Sequence, residues 1–121
     1  MIRGLRGAIT ITQDEPQQVW QETAKLVQAI AEANQIVAEQ ITSVIISTTP
    51  DITSAFPARA VREMEAWQFV PVMCMHEMNV AGALPLCIRV LIHAEVAVGQ
   101  QEVQHIYLND AIKLRPDLVN R

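Results

Sequence analysis

The strongest constraint on the fold is a run near the C-terminal end of the chain in which apolar and mostly polar side chains alternate. In residues 87–98 (CIRVLIHAEVAV), one set of alternate positions is entirely apolar: Ile88, Val90, Ile92, Ala94 and Val96. The positions between them carry Arg89, Leu91, His93 and Glu95. Since successive side chains of a β-strand point to opposite faces of its sheet, this pattern predicts a strand with one buried face. We therefore expect a β-sheet that is covered on one side.

The remaining segments predict two helices and four more strands. Apolar residues that recur at steps of three and four indicate an amphipathic helix from Pro16 to about residue 34. A shorter helix is predicted over 56–66, with Ser54 as its N-cap and Pro57 in its first turn. The other predicted strands cover residues 2–12, 43–49, 69–75 and 104–109. This order is typical of an α/β (α+β) fold, a mixed sheet with helices on one face, and the length suits a single domain over residues 1–121.

Composition narrows the class of partner. A net charge of −4 argues against nucleic acid and against an anionic membrane surface as partners. Apolar residues make up 50% of the chain, and a mean hydropathy of +0.18 is high for a small monomer, so burial in an oligomer is favoured over an apolar-rich monomer. The N-terminal residues MIRGLRGAIT lack the apolar stretch of a signal peptide, and no apolar run approaches roughly 18 residues. A cytoplasmic protein is expected.

The positive charge is carried mainly by arginine, in seven of nine basic residues. A planar guanidinium pairs with carboxylate or phosphate through two parallel hydrogen bonds, and it tolerates partial burial better than an ammonium group. The base composition of a genome can also favour arginine over lysine. Arg6 and Arg89, however, lie inside otherwise apolar strands, where a cation needs a partner or a ligand. Glu77 follows a strand directly and Tyr107 lies in the last one, so the alternatives are an anion-binding site, internal ion pairs, or edge strands with outward-pointing arginines.

No motif for covalent or metal-dependent catalysis stands out. The three histidines, His76, His93 and His105, share no metal-ligand spacing, so no metal is predicted. Cys74 and His76 lie two apart on a predicted strand, but no third group is evident to orient a catalytic pair. The simpler interpretation of Cys74 and Cys87 is that both are reduced thiols in strands. From the residues alone, the chain is an anion-binding α/β domain.

Several motifs occur in order along the whole chain. They are R-G-x-R-G-A at 3–8, T-P-D at 49–51, F-P-A-R-A-V-R-E at 56–63, W-Q-F-V-P-V at 67–72, C-M-H-E-M at 74–78, C-I-R-V at 87–90, Y-L at 107–108 and L-R-P-D-L at 114–118. In this set and this order the chain resembles the monofunctional chorismate mutases of the trimeric α/β-barrel (Bacillus-type) family. The resemblance implies a homotrimer that forms a pseudo-α/β barrel, with three active sites between subunits.

The resemblance also implies a reaction, the [3,3] sigmatropic rearrangement of chorismate to prephenate in phenylalanine and tyrosine biosynthesis, on the shikimate pathway. This isomerase chemistry requires no cofactor. The enzyme holds the enolpyruvyl ether in a compact chair and stabilises the charge that develops on the ether oxygen, without covalent catalysis.

By the pattern of that family, the catalytic residues are Arg89, Glu77 and Arg6. Arg89 is implied to reach the ether oxygen and a substrate carboxylate, and Arg6 with Tyr107 to bind the side-chain carboxylate. Glu77 and the Cys74 segment are implied to hold the ring hydroxyl, and Glu77 also to orient the arginines.

The adjacent subunit is implied to complete the site. Phe56 and Ala58 would wall the substrate ring, and Arg59 and Arg62 would face its carboxylate at the mouth of the cleft. Position 59 is Arg where Lys is expected, which keeps the charge but changes its reach.

Three further substrate-binding positions follow from the resemblance. Met73 stands where a small hydroxyl residue is expected, so a side-chain hydrogen bond there would be lost. Leu114 and Arg115 are implied to close the site from the tail, and the few residues after Leu118 suggest that this closure is reduced.

Two other functions are compatible with a carboxylate site between subunits. One is a ligand-sensing trimer without catalysis, and the other is a trimeric enamine or imine deaminase, which also uses an intersubunit Arg. Glu77 and Tyr107 beside Arg89 favour the mutase, because carboxylate binding alone does not call for a group on the ring hydroxyl.

Overall fold

A computed structural model describes residues 1–115 of the chain and contains five strands and two α-helices in the predicted order. The strands are β1 (Ile2–Thr10), β2 (Ile41–Thr48), β3 (Val72–His76), β4 (Cys87–Glu95) and β5 (Ile106–Leu108). The helices are α1 (Pro16–Ala33) and α2 (Ala58–Arg62), and two short 3-10 turns cover Ala38–Gln40 and Asn109–Leu114.

The strands form one mixed sheet in the order β3-β2-β4-β1-β5. β4 pairs antiparallel with both β1 and β2, whereas the outer pairs β2–β3 and β1–β5 are parallel. β4 lies at the centre of the sheet, with one face against the core and the other face largely uncovered. This position explains why apolar and mostly polar residues alternate along β4. Ile88, Val90, Ile92 and Ala94 are buried, and Arg89 on the other face is exposed, as predicted.

Helix α1 covers one face of the sheet. Its buried residues Leu26, Val27 and Ile30 join the core cluster of β1, β2 and β4. The helix comes so close to β1 that a Cβ at Gly7 would lie 2.7 Å from Ile30 Cδ1 and 2.7 Å from the Ile106 carbonyl oxygen. Only glycine fits this contact, so β1 and helix α1 approach each other closely at Gly7.

The opposite face carries the side chains of Arg6, Arg89 and Leu91 with apolar residues of the β3 edge. Met73 and Met75 on β3 are 63% and 46% exposed. Within residues 1–115, only the corner of this face beside β5 is covered, where the Asn109–Leu114 turn packs Ala111 against Ala8, Cys87 and Tyr107. A large part of this face is therefore open in the isolated chain.

The second helix is shorter than the predicted 56–66, and the prediction that Ser54 caps it is wrong. Its N-cap residue is Pro57, and no side chain caps it. The backbone at Thr53 and Ser54 donates instead to the carboxylate of Asp14, at 2.9 and 3.2 Å. Because this tie holds the chain beside the start of α1, the helix cannot begin until the chain has turned at Pro57.

The ends of several strands also differ from the predicted bounds, for reasons of pairing. β4 ends at Glu95 rather than 98 because its pairing with β1 runs out at Ile2. β3 begins at Val72 rather than 69, where its pairing with Val44 of β2 starts. β5 stops at Leu108 because Asn109 turns into a left-handed conformation, with a φ of +56°. Among the described residues, neither helix is both long and apolar enough to cross a membrane.

Candidate active site

Four of the predicted site residues line one cleft of about 340 Å³ on the open face of the sheet: Arg6, Glu77, Arg89 and Tyr107. The register brings three of them together, because Ala8 of β1 pairs with Arg89 of β4 on one side and with Tyr107 of β5 on the other. Arg6 lies two residues before Ala8 and so points to the same face. The predicted inner group of the site is therefore assembled within one chain.

Glu77 and Arg89 form an ion pair across the end of β2. Glu77 Oε2 lies 3.8 Å from Arg89 Nε, and both side chains are partly exposed. An exposed pair of this length contributes little to stability. The carboxylate lies on the Nε side of the guanidinium. Within residues 1–115, Arg6 has no carboxylate partner; its backbone N–H donates to His105 Nδ1 at 3.0 Å.

Cys87 lies beside this group, although it was not predicted as a site residue. It lies two residues before Arg89 and therefore on the same face, buried in the small cluster with Ala8 and Tyr107. Burial raises the pKa of the Cys87 thiol, and this effect outweighs the opposing charge and hydrogen bond of the Arg89 guanidinium. The neutral thiol thus packs beside the cation. The two-residue spacing was the available signal, because it places both side chains on one face of the strand.

Tyr107 lines the cleft on the β5 side, and Leu114 lies next to it. Tyr107 is only 8% exposed, and Leu114 packs against the cluster that contains it. Arg115 follows Leu114 directly and is partly buried. The described residues thus bring the start of the tail near the cleft, while the prediction for the residues after Leu118 lies outside them.

A second group of predicted residues lies around Cys74 and helix α2, away from the Arg89 cleft. Cys74 pairs with Ile46, which also pairs with Val90, so the Cys74 side chain lies on the face opposite to Arg89. Burial raises the pKa of the Cys74 thiol, while a hydrogen bond with the Ala58 backbone and the charge of Arg62 oppose that shift. Cys74 therefore belongs with helix α2 rather than with the Arg89 cleft in the isolated chain.

Helix α2 and the segment before it present an aromatic side chain and two cations. Phe56 is 76% exposed beside a second crevice of about 420 Å³, which Cys74 also lines. Ala58 is buried, whereas Arg59 and Arg62 are exposed. Met73 is exposed on β3, on the opposite face from Cys74.

Arg59 is held by two neighbours. Its guanidinium lies 4.2 Å from the ring centroid of Trp20 in α1, and its Nε donates to Glu63 at 2.7 Å. The indole N–H of Trp20 donates to the Phe56 carbonyl oxygen at 3.1 Å. Trp20 thereby ties the Phe56 segment to α1, a contact that the helical periodicity did not reveal.

The geometry as a whole supports binding of a small anion. Arg6 and Arg89 supply two cations beside a tyrosine, and the Glu77 carboxylate lies 3.8 Å from the Nε of Arg89. Among residues 1–115, no three His, Cys, Asp or Glu side chains are grouped so as to hold a metal ion. What this arrangement offers is charge and shape complementarity to an anionic ligand.

Comparisons with known proteins agree on one family. The sequence model of the family described as chorismate mutase type I matches residues 2–118. Chorismate mutase AroH of Bacillus subtilis (strain 168) is 45% identical over 118 residues, covering 98% of this chain and 93% of that protein. Chorismate mutase AroH of Thermus thermophilus is 44% identical over 119 residues, covering 98% of this chain and 97% of that protein.

A solved structure supports the same assignment. The chorismate mutase from Clostridium thermocellum (Cth-682) superimposes with a TM-score of 0.87 at 38% identity, over 89% of this chain and 96% of that one. Its likeness extends to the mixed sheet with helices on one face. The chain therefore belongs to the chorismate mutase type I family.

Proposed function

We propose that this protein is a chorismate mutase, an isomerase that converts chorismate to prephenate in phenylalanine and tyrosine biosynthesis. Family membership over nearly the full chain supports the activity. The observation that carries the mechanism is the cleft in which Arg89, paired with Glu77, lies beside Arg6 and Tyr107.

The reaction is a concerted rearrangement, so the demands on the protein are geometric and electrostatic. The enolpyruvyl ether must be held in a chair over the ring, which a cleft with fixed charges achieves by restricting the substrate. As the C–O bond breaks, negative charge grows on the ether oxygen. A donor directed at such an oxygen typically lowers the barrier by about 3–4 kcal/mol, and we assign this role to the Arg89 guanidinium.

The remaining cleft residues bind the rest of the dicarboxylate. Arg6 has no carboxylate partner in the described chain, so its charge is free to pair with the side-chain carboxylate of the substrate together with Tyr107. Glu77 reaches the ring hydroxyl while it orients Arg89. Leu114 and Arg115 close the site on the β5 side.

A second copy of the chain completes the site. Phe56, Ala58, Arg59 and Arg62 belong to helix α2 or the segment before it, next to Cys74 of β3, and none of them lines the cleft that contains Arg89 of the same chain. The face with Arg89 is also largely open and carries exposed Met73 and Met75. We therefore propose a cytoplasmic homotrimer of single-domain subunits, a pseudo-α/β barrel in which α2 of one subunit covers the cleft of the next.

The activity is tested with purified protein and chorismate. Loss of chorismate absorbance is followed with time, and the product is then converted to phenylpyruvate in acid and measured. An Arg89→Ala variant prepared in the same way serves as the control for contaminating enzyme. We expect turnover by the wild type and almost none by the variant; binding of chorismate without turnover by the wild type would leave a ligand-sensing trimer instead.

A further inference from the structure

The end of β2 lies between the end of β3, which Glu77 follows directly, and the start of β4, which carries Arg89. In the sheet order β3-β2-β4, the residues that leave β2 are flanked by the last residue of β3 and the first residue of β4. These residues include the T-P-D motif, Thr49, Pro50 and Asp51, to which the proposed function assigns no role.

On the β3 side, a backbone hydrogen bond joins Glu77 to the end of β2. The backbone N–H of Glu77 donates to the Thr48 carbonyl oxygen at 2.7 Å, one residue past the pairing of Thr48 with His76. The peptide that carries Glu77 is thereby held against the end of β2.

On the β4 side, side chains of the motif form a connected network. The Thr49 hydroxyl donates to Asp51 Oδ1 at 2.5 Å and accepts the Cys87 N–H at 3.0 Å. The Thr49 N–H donates to the Cys87 carbonyl oxygen at 3.0 Å. Asp51 Oδ2 accepts the Leu86 N–H at 3.0 Å. The carboxylate thus fixes the proton of the hydroxyl, which leaves the hydroxyl oxygen free to act as an acceptor for Cys87.

The residue that Asp51 holds is in an unfavourable conformation. Leu86 has a φ of +49°, in the left-handed region that a residue with a side chain rarely adopts. Such a conformation persists only where its surroundings determine it. Here the N–H is bound by Asp51, and the carbonyl oxygen accepts the Ile11 N–H at 2.9 Å. β4 begins at the next residue, and Arg89 lies three residues after Leu86.

We propose that Asp51 and Thr49 are positioning residues for the Glu77–Arg89 pair. By holding Leu86 and Cys87 against the end of β2, they set where β4 begins and therefore where the Arg89 guanidinium lies relative to Glu77. Neither residue touches the cleft, so both act through Arg89. This inference rests on the proposed function, because the consequence of misplacing Arg89 is a loss of chorismate turnover.

The chain offers a matched control at the opposite end of the same strand. Gln40 Nε2 donates to the Glu95 carbonyl oxygen at 3.2 Å, and Gln40 Oε1 accepts the Val37 N–H at 2.9 Å. Gln40 therefore ties the last residue of β4 to a neighbouring turn, as Asp51 ties its start, but far from Arg89.

The test compares Asp51→Ala, Asp51→Asn and Gln40→Ala in chorismate turnover, with circular dichroism and oligomer size as checks of folding. A misplacement of about 1 Å can cost up to about 100-fold in rate, so we expect Asp51→Ala to lower kcat by roughly 10- to 100-fold and to change KM less. Asp51→Asn, which keeps an oxygen acceptor, should recover part of the loss. Gln40→Ala should stay within about twofold of the wild type, since surface changes away from the site have small effects.

A double-mutant cycle separates positioning from a general loss of structure. If Asp51 acts through Arg89, Asp51→Ala should lower kcat by less than about twofold in an Arg89→Lys background, because the guanidinium it positions is already absent. Equal effects in both backgrounds, or an Asp51→Ala kcat within twofold of the wild type, would overturn the proposal.

Two further outcomes keep the test decisive. Should Asp51→Ala fail to fold, Thr49→Val, which nearly preserves the shape and replaces the hydroxyl with a methyl group, is carried through the same cycle and judged by the same limits. Absence of turnover in the wild type itself would refute the proposed function instead, so the two failures are distinguishable.

Discussion

Arg89 projects from the first half of β4 into the cleft, and its Nε lies 3.8 Å from a Glu77 carboxylate oxygen. A lysine at this position would keep the positive charge but offer a single ammonium on a flexible stem. It could not pair with Glu77 and direct a second N–H of the same rigid plane at the substrate. The position thus requires a guanidinium, not merely a cation.

We expect Arg89→Lys to lower kcat by at least about 100-fold, the usual cost of removing a preorganised donor to a developing oxyanion. KM should change less, because the lost contact is stronger in the transition state than in bound substrate. Steady-state kinetics with chorismate measures both, and size-exclusion chromatography checks that the oligomer is unchanged. A kcat close to that of the wild type would contradict the role assigned to Arg89.

The site was only partly predictable from individual residues. Alternation placed Arg89 on the face of β4 opposite the core, and the resemblance identified its neighbours. The distances depend on register, however, and Ala8 lies between Arg89 and Tyr107 only because β5 adds to β1 with this particular pairing. Nothing in the spacing of residues 8, 89 and 107 specifies that pairing, so the packing of Cys87 against Ala8 and Tyr107 was also not predicted.

At the scale of elements, Asp14, in the loop before helix α1, holds the segment that leads to helix α2. The Asp14 carboxylate accepts the backbone N–H groups of Thr53 and Ser54 and the Thr53 hydroxyl. Desolvation alone would raise the pKa of Asp14, but these hydrogen bonds together lower it below its ordinary value. A carboxyl with a lowered pKa in the folded state stabilises the protein in its ionised form.

Asp14→Ala should therefore destabilise the protein at pH 7 and much less in acid. Since the folded pKa is lowered, the contribution is fully present above the unfolded value of about 3.9 and is lost as pH falls through the folded pKa. Urea unfolding at pH 7 and at pH values below 4, at one protein concentration, gives the difference between wild type and variant. A difference that does not change with pH would show that the charge of Asp14 is not responsible.

Most element bounds were predictable where local signals are strong. The Pro16 start and the apolar periodicity placed α1 correctly, and alternation found β4. The start of helix α2 was predicted two residues too early, because Asp14, distant in sequence, holds Thr53 and Ser54. The start of β3 was predicted too early because only its partner β2 decides where pairing begins. Each error arises from a tertiary contact that no local pattern encodes.

The spacing between α1 and the sheet depends on Gly7. A Cβ there would lie 2.7 Å from the Ile106 backbone oxygen, which cannot move without displacing β5. We expect Gly7→Ala to cost about 1–3 kcal/mol of unfolding free energy, as overpacking of a filled core usually does. Gly4→Ala is the matched control, because its closest neighbour is the flexible Leu91 side chain at 3.3 Å. Equal urea midpoints for the two variants would argue against the close approach at Gly7.

In the whole molecule, the predicted site residues lie in two separate regions of the surface. Arg6, Glu77, Arg89 and Tyr107 share one cleft, whereas Arg62 and Phe56 lie beyond the β3 edge and do not enter it. If each site combines the cleft of one subunit with α2 of the next, a defect in one region can be compensated only by another subunit. A site within one chain would allow no such compensation.

Mixing Arg89→Ala with Arg62→Ala subunits tests this arrangement. Each variant alone should be severely impaired, because every site in the proposed trimer would lack one arginine. In trimers reassembled from an equal mixture, an intact cleft meets an intact α2 at about a quarter of the sites, the fraction expected for random neighbours in a closed ring. We therefore expect reassembly to restore up to that share of wild-type turnover, with a mixture kept from exchanging subunits as the control. Activity that stays at the level of the separate variants, although mass spectrometry shows mixed trimers, would place both arginines in sites within a single chain.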